Sequence, residues 1–266
     1  MGTTDKLPEK RKIVVHYHLY KTAGSTIIDG LKGYFGPDAV LEIDKHPDYA
    51  KEKVYNLEFF EKAVTSHPST RAYTAHRVVP NIHLSPKIDV YPIAFVRHPL
   101  LRANSVYRFE QFRKDEWPRK HIAGKYDFGG WIEWCLHSDQ GIEGRNVQSR
   151  LLSLTEHGHY MADLKSVLRR GNLPLVYERL DSMPTVGVVE VFELSLKAIN
   201  HTGGKYFPGF HISNAQVNST KVVDDWRIEL EAVEKSLPRS LLDQFYAANS
   251  DDLAMFERYR LRLEQH

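Results

Sequence analysis

Apolar positions in the first part of the chain predict strands, each followed by a turn and a helix. Residues 12–18 (KIVVHYH) form a β-branched run, and the apolar residues of 27–35 then recur at helical spacing. Two more strands are predicted at 71–75 and 90–96, the second an almost continuous apolar run typical of central parallel strands. Pro99 follows at a favourable first-turn position of a further helix.

The remaining pattern predicts an α/β protein. Helices are expected at 128–136, 146–152 and 162–169, and short strands at 173–177 and 185–189. Residues 222–264 lack strand signals, and their helical periodicity, broken at Pro238, predicts two packed helices. Strands alternating with helices indicate a three-layer α/β/α fold with a mostly parallel central sheet. With no repeat or linker in the chain, we expect one domain over 1–266, with 1–11 as a flexible tail.

Composition narrows the function classes. The chain has 266 residues, of which 42% are apolar and 26% charged, as in soluble globular proteins. The formal charge of +2 provides no global basic field for nucleic acid, so an anion site must be local. Cys135 is the single cysteine, which excludes an internal disulfide and a multi-thiolate metal site. No apolar run is long enough to span a membrane, and we expect a soluble, cytoplasmic protein.

The segment KTAGST, after the first predicted strand, is a candidate anion site. A strand that turns tightly into a helix leaves backbone N–H groups pointing at one spot. Lys21 adds a positive charge, Gly24 allows close approach of the backbone, and Ser25 and Thr26 offer hydroxyl groups. The pattern is not a Walker A motif, because the lysine comes first. A capped turn with an exposed lysine is the alternative.

A second candidate anion site lies in AFVRHPLLRANSVYR. Arg97 closes an apolar strand and is expected at the carboxyl edge of the sheet, where open α/β sheets bind ligands. Its guanidinium can hold a phosphate with two hydrogen bonds, and Ser105 can add a hydroxyl. A buried structural arginine is the alternative.

Together the two motifs resemble a known enzyme family. HYHLYKTAGST resembles the 5′-phosphosulfate loop, and FVRHPLLRANSVYR the 3′-phosphate motif, of carbohydrate sulfotransferases related to heparan sulfate 2-O-sulfotransferase. Weaker similarities lie in RNVQSRLL, VGVVEVFELSLKAI and PRSLLDQFYAANSDDLAMFERY. The resemblance implies a P-loop-like sulfotransferase fold that transfers a sulfuryl group from 3′-phosphoadenosine 5′-phosphosulfate (PAPS) to a hydroxyl of a carbohydrate, lipid or other small molecule, without a metal. Animal relatives lie in the Golgi lumen, which is the expected location if this chain is a trimmed form.

The resemblance also implies roles for individual residues. The 5′-phosphosulfate would be held by Lys21, Thr22, Ala23, Gly24, Ser25 and Thr26, and the 3′-phosphate by Arg97 and Ser105. Lys21 would stabilise charge on the leaving oxygen, and His76 would take the proton of the acceptor hydroxyl, with a hydrogen-bonded structural histidine as the alternative. Lys221, after NAQVNST, is a candidate nucleotide contact, with a solvated lysine as the alternative. The chain departs from the family pattern at Tyr20, Ala75 and Val191, where the family has proline, glycine and arginine.

Alternatives remain open at this point. His16, His18 and His98 compete with His76 as the base, because all of them lie near the predicted strand ends. A P-loop kinase would share the strand, turn and helix, and would also need an acidic Mg²⁺ ligand after an apolar strand. A non-enzymatic glycan-binding module could use the same fold.

Overall fold

A sheet of parallel strands forms the centre of the fold. The computed structural model describes residues 10–49, 56–76, 78–80, 84, 86–112, 120–138, 141–154, 172–213 and 225–265. Within these residues there are five strands: β1 Arg11–Tyr17, β2 Val40–Glu42, β3 Ala72–Ala75, β4 Ile88–Val96 and β5 Gly187–Val188. Their order is β2-β3-β1-β4-β5, and every pair is parallel. β1 is central, with His16 opposite Thr74 of β3 and Ile93 of β4.

Helices connect and cover these strands. In the described part of the chain they are α1 Gly24–Phe35, α2 Leu57–Ser66, α3 Pro99–Phe112, α4 Lys120–Lys125, α5 Phe128–His137, α6 Val147–Leu152, α7 Leu173–Asp181, α8 Phe192–Gly203, α9 Trp226–Lys235, α10 Arg239–Ala248 and α11 Ser250–Glu264. Among the described residues, short 3₁₀ turns adjoin two strands: Ile43–Lys45 follows β2, and Val189–Val191 follows β5.

Two apolar cores lie on opposite faces of the sheet. Successive strand side chains point to opposite faces, so Val14 packs with α1 and α8 while Val15 packs with α2, α6, α7 and α11. A third apolar cluster joins α3, α5, α9 and α10. The predicted three-layer α/β/α fold with a parallel sheet is confirmed.

The path of the chain creates a crevice at the carboxyl ends of β1 and β4. From β1 the chain crosses toward β2, beyond β3, whereas from β4 it continues to β5 on the other side. The two connections therefore diverge between neighbouring strands, which is where open α/β sheets bind ligands. KTAGST follows β1 and Arg97 follows β4, so the fold places both motifs at this crevice.

Most predicted elements are confirmed, and two predictions are wrong. The predicted strand at 173–177 is the start of helix α7, because Asn172 caps it by accepting from the Leu175 amide at 3.2 Å and Pro174 suits its first turn. The C-terminal part contains three helices instead of two, since the chain breaks at Asn249 as well as at Pro238. β2 and α2 were not predicted.

Several predictions are not tested by the described residues. The helix expected at 162–169 lies outside them, as do residues 1–9 of the expected tail. Arg11, the last residue of that tail, is instead the first residue of β1. The single-domain prediction stays a prediction. No helix in the described ranges is both long and apolar enough to cross a membrane.

Candidate functional site

The loop between β1 and α1 holds two residues in left-handed backbone conformation. Lys21 and Ala23 both have φ of 64°, a conformation that costs a residue with a side chain ~1–2 kcal/mol. Thr22 is buried and donates from Oγ1 to the Leu19 carbonyl at 2.8 Å, which ties the loop to the end of β1. Such backbone strain is concentrated at binding and catalytic sites.

The start of α1 presents amide groups to the crevice. Helix geometry leaves the first N–H groups, those of Gly24, Ser25 and Thr26, without acceptors in the helix. Ala23 is the N-cap residue and contributes no side-chain acceptor, and the first helical bond is Ile27 N to Ala23 O at 3.2 Å. The helix dipole adds partial positive charge at this end. This arrangement favours an anion.

Gly24 is required by a contact that the sequence did not reveal. A Cβ atom at this position would lie 1.6 Å from Nε2 of His18. The His18 ring thus packs directly under the loop, and any side chain at position 24 would displace one or the other. The sequence predicts a glycine here for close approach of a ligand. The structure gives a second reason, the contact with the His18 ring.

Arg97 touches the loop directly. Its Nη1 donates to the Lys21 carbonyl at 3.2 Å, and its side chain is 17% exposed. The Arg97 backbone is fixed by Gln148, because the amide donates to Oε1 at 2.9 Å and the carbonyl accepts from Nε2 at 2.8 Å. The two predicted anion-binding motifs therefore meet at one place, with Arg97 positioned from the end of β4.

The Lys21 ammonium lies beside Arg97 and an aromatic ring. Its Nζ is 4.4 Å from the centre of the Phe109 ring, on α3. Burial, and secondly the positive charge of Arg97, lower the pKa of Lys21 to about 8. The mutual repulsion of two positive groups in a partly buried site favours binding of an anion next to them.

His76 follows β3 and is held by two hydrogen bonds. Its amide donates to Asp44 Oδ2 at 2.7 Å, and its Nδ1 is 2.6 Å from the His18 carbonyl oxygen. A carbonyl only accepts, so Nδ1 carries the hydrogen and Nε2 of the neutral ring has the lone pair. The ring packs against that of His18 in a tilted arrangement, with 4.0 Å between centroids and 34° between the ring planes. His76 is thereby set up to accept a proton at Nε2.

The competing histidines are poor proton acceptors. Burial lowers the pKa of His16 to about 3, and its Nδ1 lies 2.9 Å from Thr74 Oγ1. Burial, followed by the charge of His76, also lowers the pKa of His18. His98 has its pKa lowered to about 3 by burial and by Arg97, and its ring packs against Phe256. Of these four histidines, His76 is best suited to act as a base.

The other predicted residues are placed as follows. Ser25 is exposed and Thr26 half-buried in the first turn of α1, and Ser105 is half-buried on α3. Lys221 lies outside the described residues, so its predicted contact with a nucleotide stays a prediction.

Two site residues were missed because their roles depend on long-range contacts. Gln148 comes from RNVQSRLL and Glu190 from VGVVEVFELSLKAI, segments that showed only weak similarity. The side chain of Glu190 is buried, with Oε2 accepting from the His98 amide at 3.2 Å and Oε1 lying 3.5 Å from Arg97 Nε. The weak similarity of those two segments was the only indication in the sequence that these residues belong to the site.

Comparison with known proteins adds one distant relative. No protein-family model matches this chain. An uncharacterized protein of Archaeoglobus fulgidus is 27% identical over 257 residues, covering 93% of this chain and 96% of the archaeal one. The match spans nearly the whole of both chains and brings no assignment of activity with it.

Proposed function

We propose that the protein is a sulfotransferase that moves a sulfuryl group from PAPS to an acceptor hydroxyl. The observation that carries this proposal is the contact between Arg97 and the Lys21 loop, with Nη1 of Arg97 3.2 Å from the Lys21 carbonyl oxygen. One nucleotide with phosphates at both its 5′ and 3′ positions can then engage both motifs at the ends of two adjacent strands.

The loop supplies the groups that a 5′-phosphosulfate requires. The amide groups of the first α1 turn, from Gly24 to Thr26, provide partial positive charge, and the ammonium of Lys21, close to Arg97, adds a full charge. Left-handed residues such as Lys21 and Ala23 also occur in the backbone concavities whose successive N–H groups bind anions. Hydroxyl groups of Ser25 and Thr26 extend the donor set.

Arg97 supplies the group that a 3′-phosphate requires. One hydrogen bond to the loop and a nearby Glu190 carboxylate fix its guanidinium, which still has further N–H donors for a phosphate. Ser105 lies two helical turns along α3 and can add a hydroxyl donor.

The chemistry follows from these positions. The bond between acceptor oxygen and sulfur forms as the bond between sulfur and the 5′-phosphate oxygen breaks, and negative charge grows on that leaving oxygen. Lys21 and the α1 amides stabilise this charge, and one such donor contributes ~3 kcal/mol, or roughly a hundredfold in rate. Nε2 of His76 takes the acceptor proton. The products are the sulfated acceptor and adenosine 3′,5′-bisphosphate.

Binding experiments test the nucleotide half of the proposal. Calorimetry should show that adenosine 3′,5′-bisphosphate binds without Mg²⁺ and more tightly than ATP or 5′-AMP. Lys21→Ala and Arg97→Ala should each weaken binding at least about tenfold, since each removes a charged contact. Lys197→Ala and Arg239→Ala, at exposed positions on α8 and α10, are matched controls that should leave it unchanged.

Transfer experiments test the other half. Sulfur-labelled PAPS should pass its label to at least one member of a panel of sugars, phenols and lipid alcohols. Binding that requires Mg²⁺ and prefers ATP would indicate a kinase instead. Glycan binding that persists in both the Lys21 and Arg97 variants, with no nucleotide binding by the unmodified protein, would indicate a non-enzymatic module.

A further inference from the structure

Glu190 and Arg97 form an unusual buried pair. Glu190 lies in the 3₁₀ turn Val189–Val191 after β5, and its side chain is 2% exposed. Its Oε1 and Arg97 Nε are 3.5 Å apart, and within the described residues neither atom has a hydrogen-bond partner. The two groups attract each other by charge without a hydrogen bond between these atoms.

This geometry leaves the carboxylate poorly compensated. A buried ion pair offsets the cost of desolvation only when its geometry is good and its remaining polar atoms are bonded. The His98 amide donates to Oε2 at 3.2 Å, and the backbone amide of Glu190 itself also favours the charged carboxylate, but Oε1 has no hydrogen-bond partner within the described residues. Burial raises the pKa of Glu190 to about 7, although the charge of Arg97 opposes the rise. Near neutral pH, both protonation states of Glu190 are populated.

The charged groups around Glu190 come from several elements. Arg97 and His98 follow β4, and the lowered pKa of His98 keeps that ring neutral near pH 7. On α9, Glu229 adds negative charge that further raises the pKa of Glu190. On α11, Asp252 is occupied by the amides of α6, including that of Gln148 at 3.0 Å. Arg97 is therefore the cation that balances Glu190.

We propose that Glu190 controls selectivity for the 3′-phosphate by taking up a proton from solvent when that phosphate binds Arg97. The inference rests on the proposed function. A phosphate dianion against Arg97 competes with Glu190 for one guanidinium and repels its carboxylate. Protonation at Glu190 removes both effects and leaves the Arg97 charge to the phosphate. The Oε2 bond from His98 survives protonation, because the neutral carboxyl group still has an acceptor oxygen.

A measurable pH dependence follows. When binding raises the pKa of a group, affinity is highest below the pKa of the free protein. Affinity then falls as the pH rises from that pKa to the raised pKa of the complex, by up to about tenfold per pH unit for one proton. Preference for adenosine 3′,5′-bisphosphate over 5′-AMP should therefore fall as the pH rises from about 6.5 to 8.5. Both nucleotides carry a 5′-phosphate, so titration at Lys21 affects both and largely cancels from their ratio.

The test compares Glu190→Gln with the unmodified protein. Kd values for both nucleotides are measured by calorimetry across this pH range. Glutamine is isosteric and keeps an acceptor for the His98 amide, so Glu190→Gln should hold the low-pH preference at every pH. Protonation of the 3′-phosphate in the free nucleotide also depends on pH, but it affects every variant equally and does not change the comparison between them. Glu193→Gln, an exposed position on α8, is the matched control and should behave as the unmodified protein.

Three results bear on the inference. Parallel pH profiles for Glu190→Gln and the unmodified protein would overturn it and leave the proposed function standing. Absence of any preference for the 3′-phosphate in the unmodified protein would overturn both. If Glu190→Gln does not fold, proton uptake by the unmodified protein is measured instead, by calorimetry in buffers of different ionisation enthalpy. More protons taken up with adenosine 3′,5′-bisphosphate than with 5′-AMP would support the inference. Equal uptake with the two nucleotides would overturn it.

Discussion

Gln148 and Arg97 exchange two hydrogen bonds through one side-chain amide. The Arg97 amide donates to Gln148 Oε1 at 2.9 Å, and Gln148 Nε2 donates to the Arg97 carbonyl at 2.8 Å. Gln148 in this way extends backbone pairing past the last residue of β4. Asp252 Oδ2 in turn accepts a hydrogen bond from the backbone N–H of Gln148 at 3.0 Å. Position 97 is thus fixed through α6 to the last helix of the chain.

Gln148→Ala should loosen Arg97 and weaken binding of its ligand. The substitution leaves two backbone groups of Arg97 without partners, and a buried polar group left unpaired costs about 1–3 kcal/mol. We expect a loss of this size in the free energy of unfolding, measured with urea. Binding of adenosine 3′,5′-bisphosphate should weaken more than binding of 5′-AMP, because Arg97 is assigned to the 3′-phosphate.

Gln244→Ala is the control for this variant. Gln244 is exposed on α10, so its removal should change neither stability nor binding. Equal weakening of both nucleotides by Gln148→Ala would mean that Gln148 stabilises the fold without positioning Arg97.

Gly24→Ala should disrupt the loop, and a second substitution should restore it. The added Cβ would lie 1.6 Å from His18 Nε2. Overpacking of this kind costs about 1–3 kcal/mol. His18→Ala opens space below the loop, so in the double variant Gly24→Ala should cost much less. Urea unfolding of the two single variants and the double variant gives the coupling energy. Additive losses would show that the His18 ring does not set the requirement for glycine.

The sequence predicted the parts of the site that depend on local order along the chain. A β-branched run followed by KTAGST predicts a strand, a turn and a helix, and the apolar run ending at Arg97 predicts a central strand. Because parallel strands end at the same edge, the strand order along the chain predicts that Lys21 and Arg97 lie at one edge of the sheet, and the pairing of β1 with β4 brings them into contact.

Contacts between distant segments could not be predicted from the sequence. Glu190 and Gln148 reach Arg97 only after β5 and α6 have packed, and no spacing rule connects positions so far apart. The wrong strand at 173–177 has a local cause, since five residues with β-branched and aromatic members suit a strand as well as a helix. Asn172 as the N-cap and Pro174 in the first turn favour the helix over the strand.

Lys21 should react with amine reagents faster than other lysines. With a pKa lowered to about 8, about half of its amines are neutral and nucleophilic at pH 8. An exposed lysine with the ordinary pKa of about 10.4 is under about 1% neutral at that pH. Brief labelling with acetic anhydride at several pH values, read by mass spectrometry, should give an apparent pKa near 8 for Lys21. Lys197, exposed on α8, is the reference.

Bound nucleotide should protect Lys21 and raise its apparent pKa, because an anion favours the charged amine. Protection by adenosine 3′,5′-bisphosphate together with unchanged labelling of Lys197 would support a role of Lys21 at the 5′-phosphate. Labelling of Lys21 with the pH profile of Lys197 would contradict its partial burial beside Arg97.

His76 should be present as the tautomer with hydrogen on Nδ1. The His18 carbonyl oxygen lies 2.6 Å from Nδ1 and can only accept, so the neutral ring must have its lone pair on Nε2. Nitrogen-15 NMR at a pH above the histidine range distinguishes the two tautomers directly. His76→Asn keeps an N–H near the Nδ1 position and removes Nε2, so it should lower sulfuryl transfer by about 10²–10⁴-fold while nucleotide binding changes little. The opposite tautomer, or an Asn variant with full transfer activity, would remove His76 as the base and return the assignment to the other histidines.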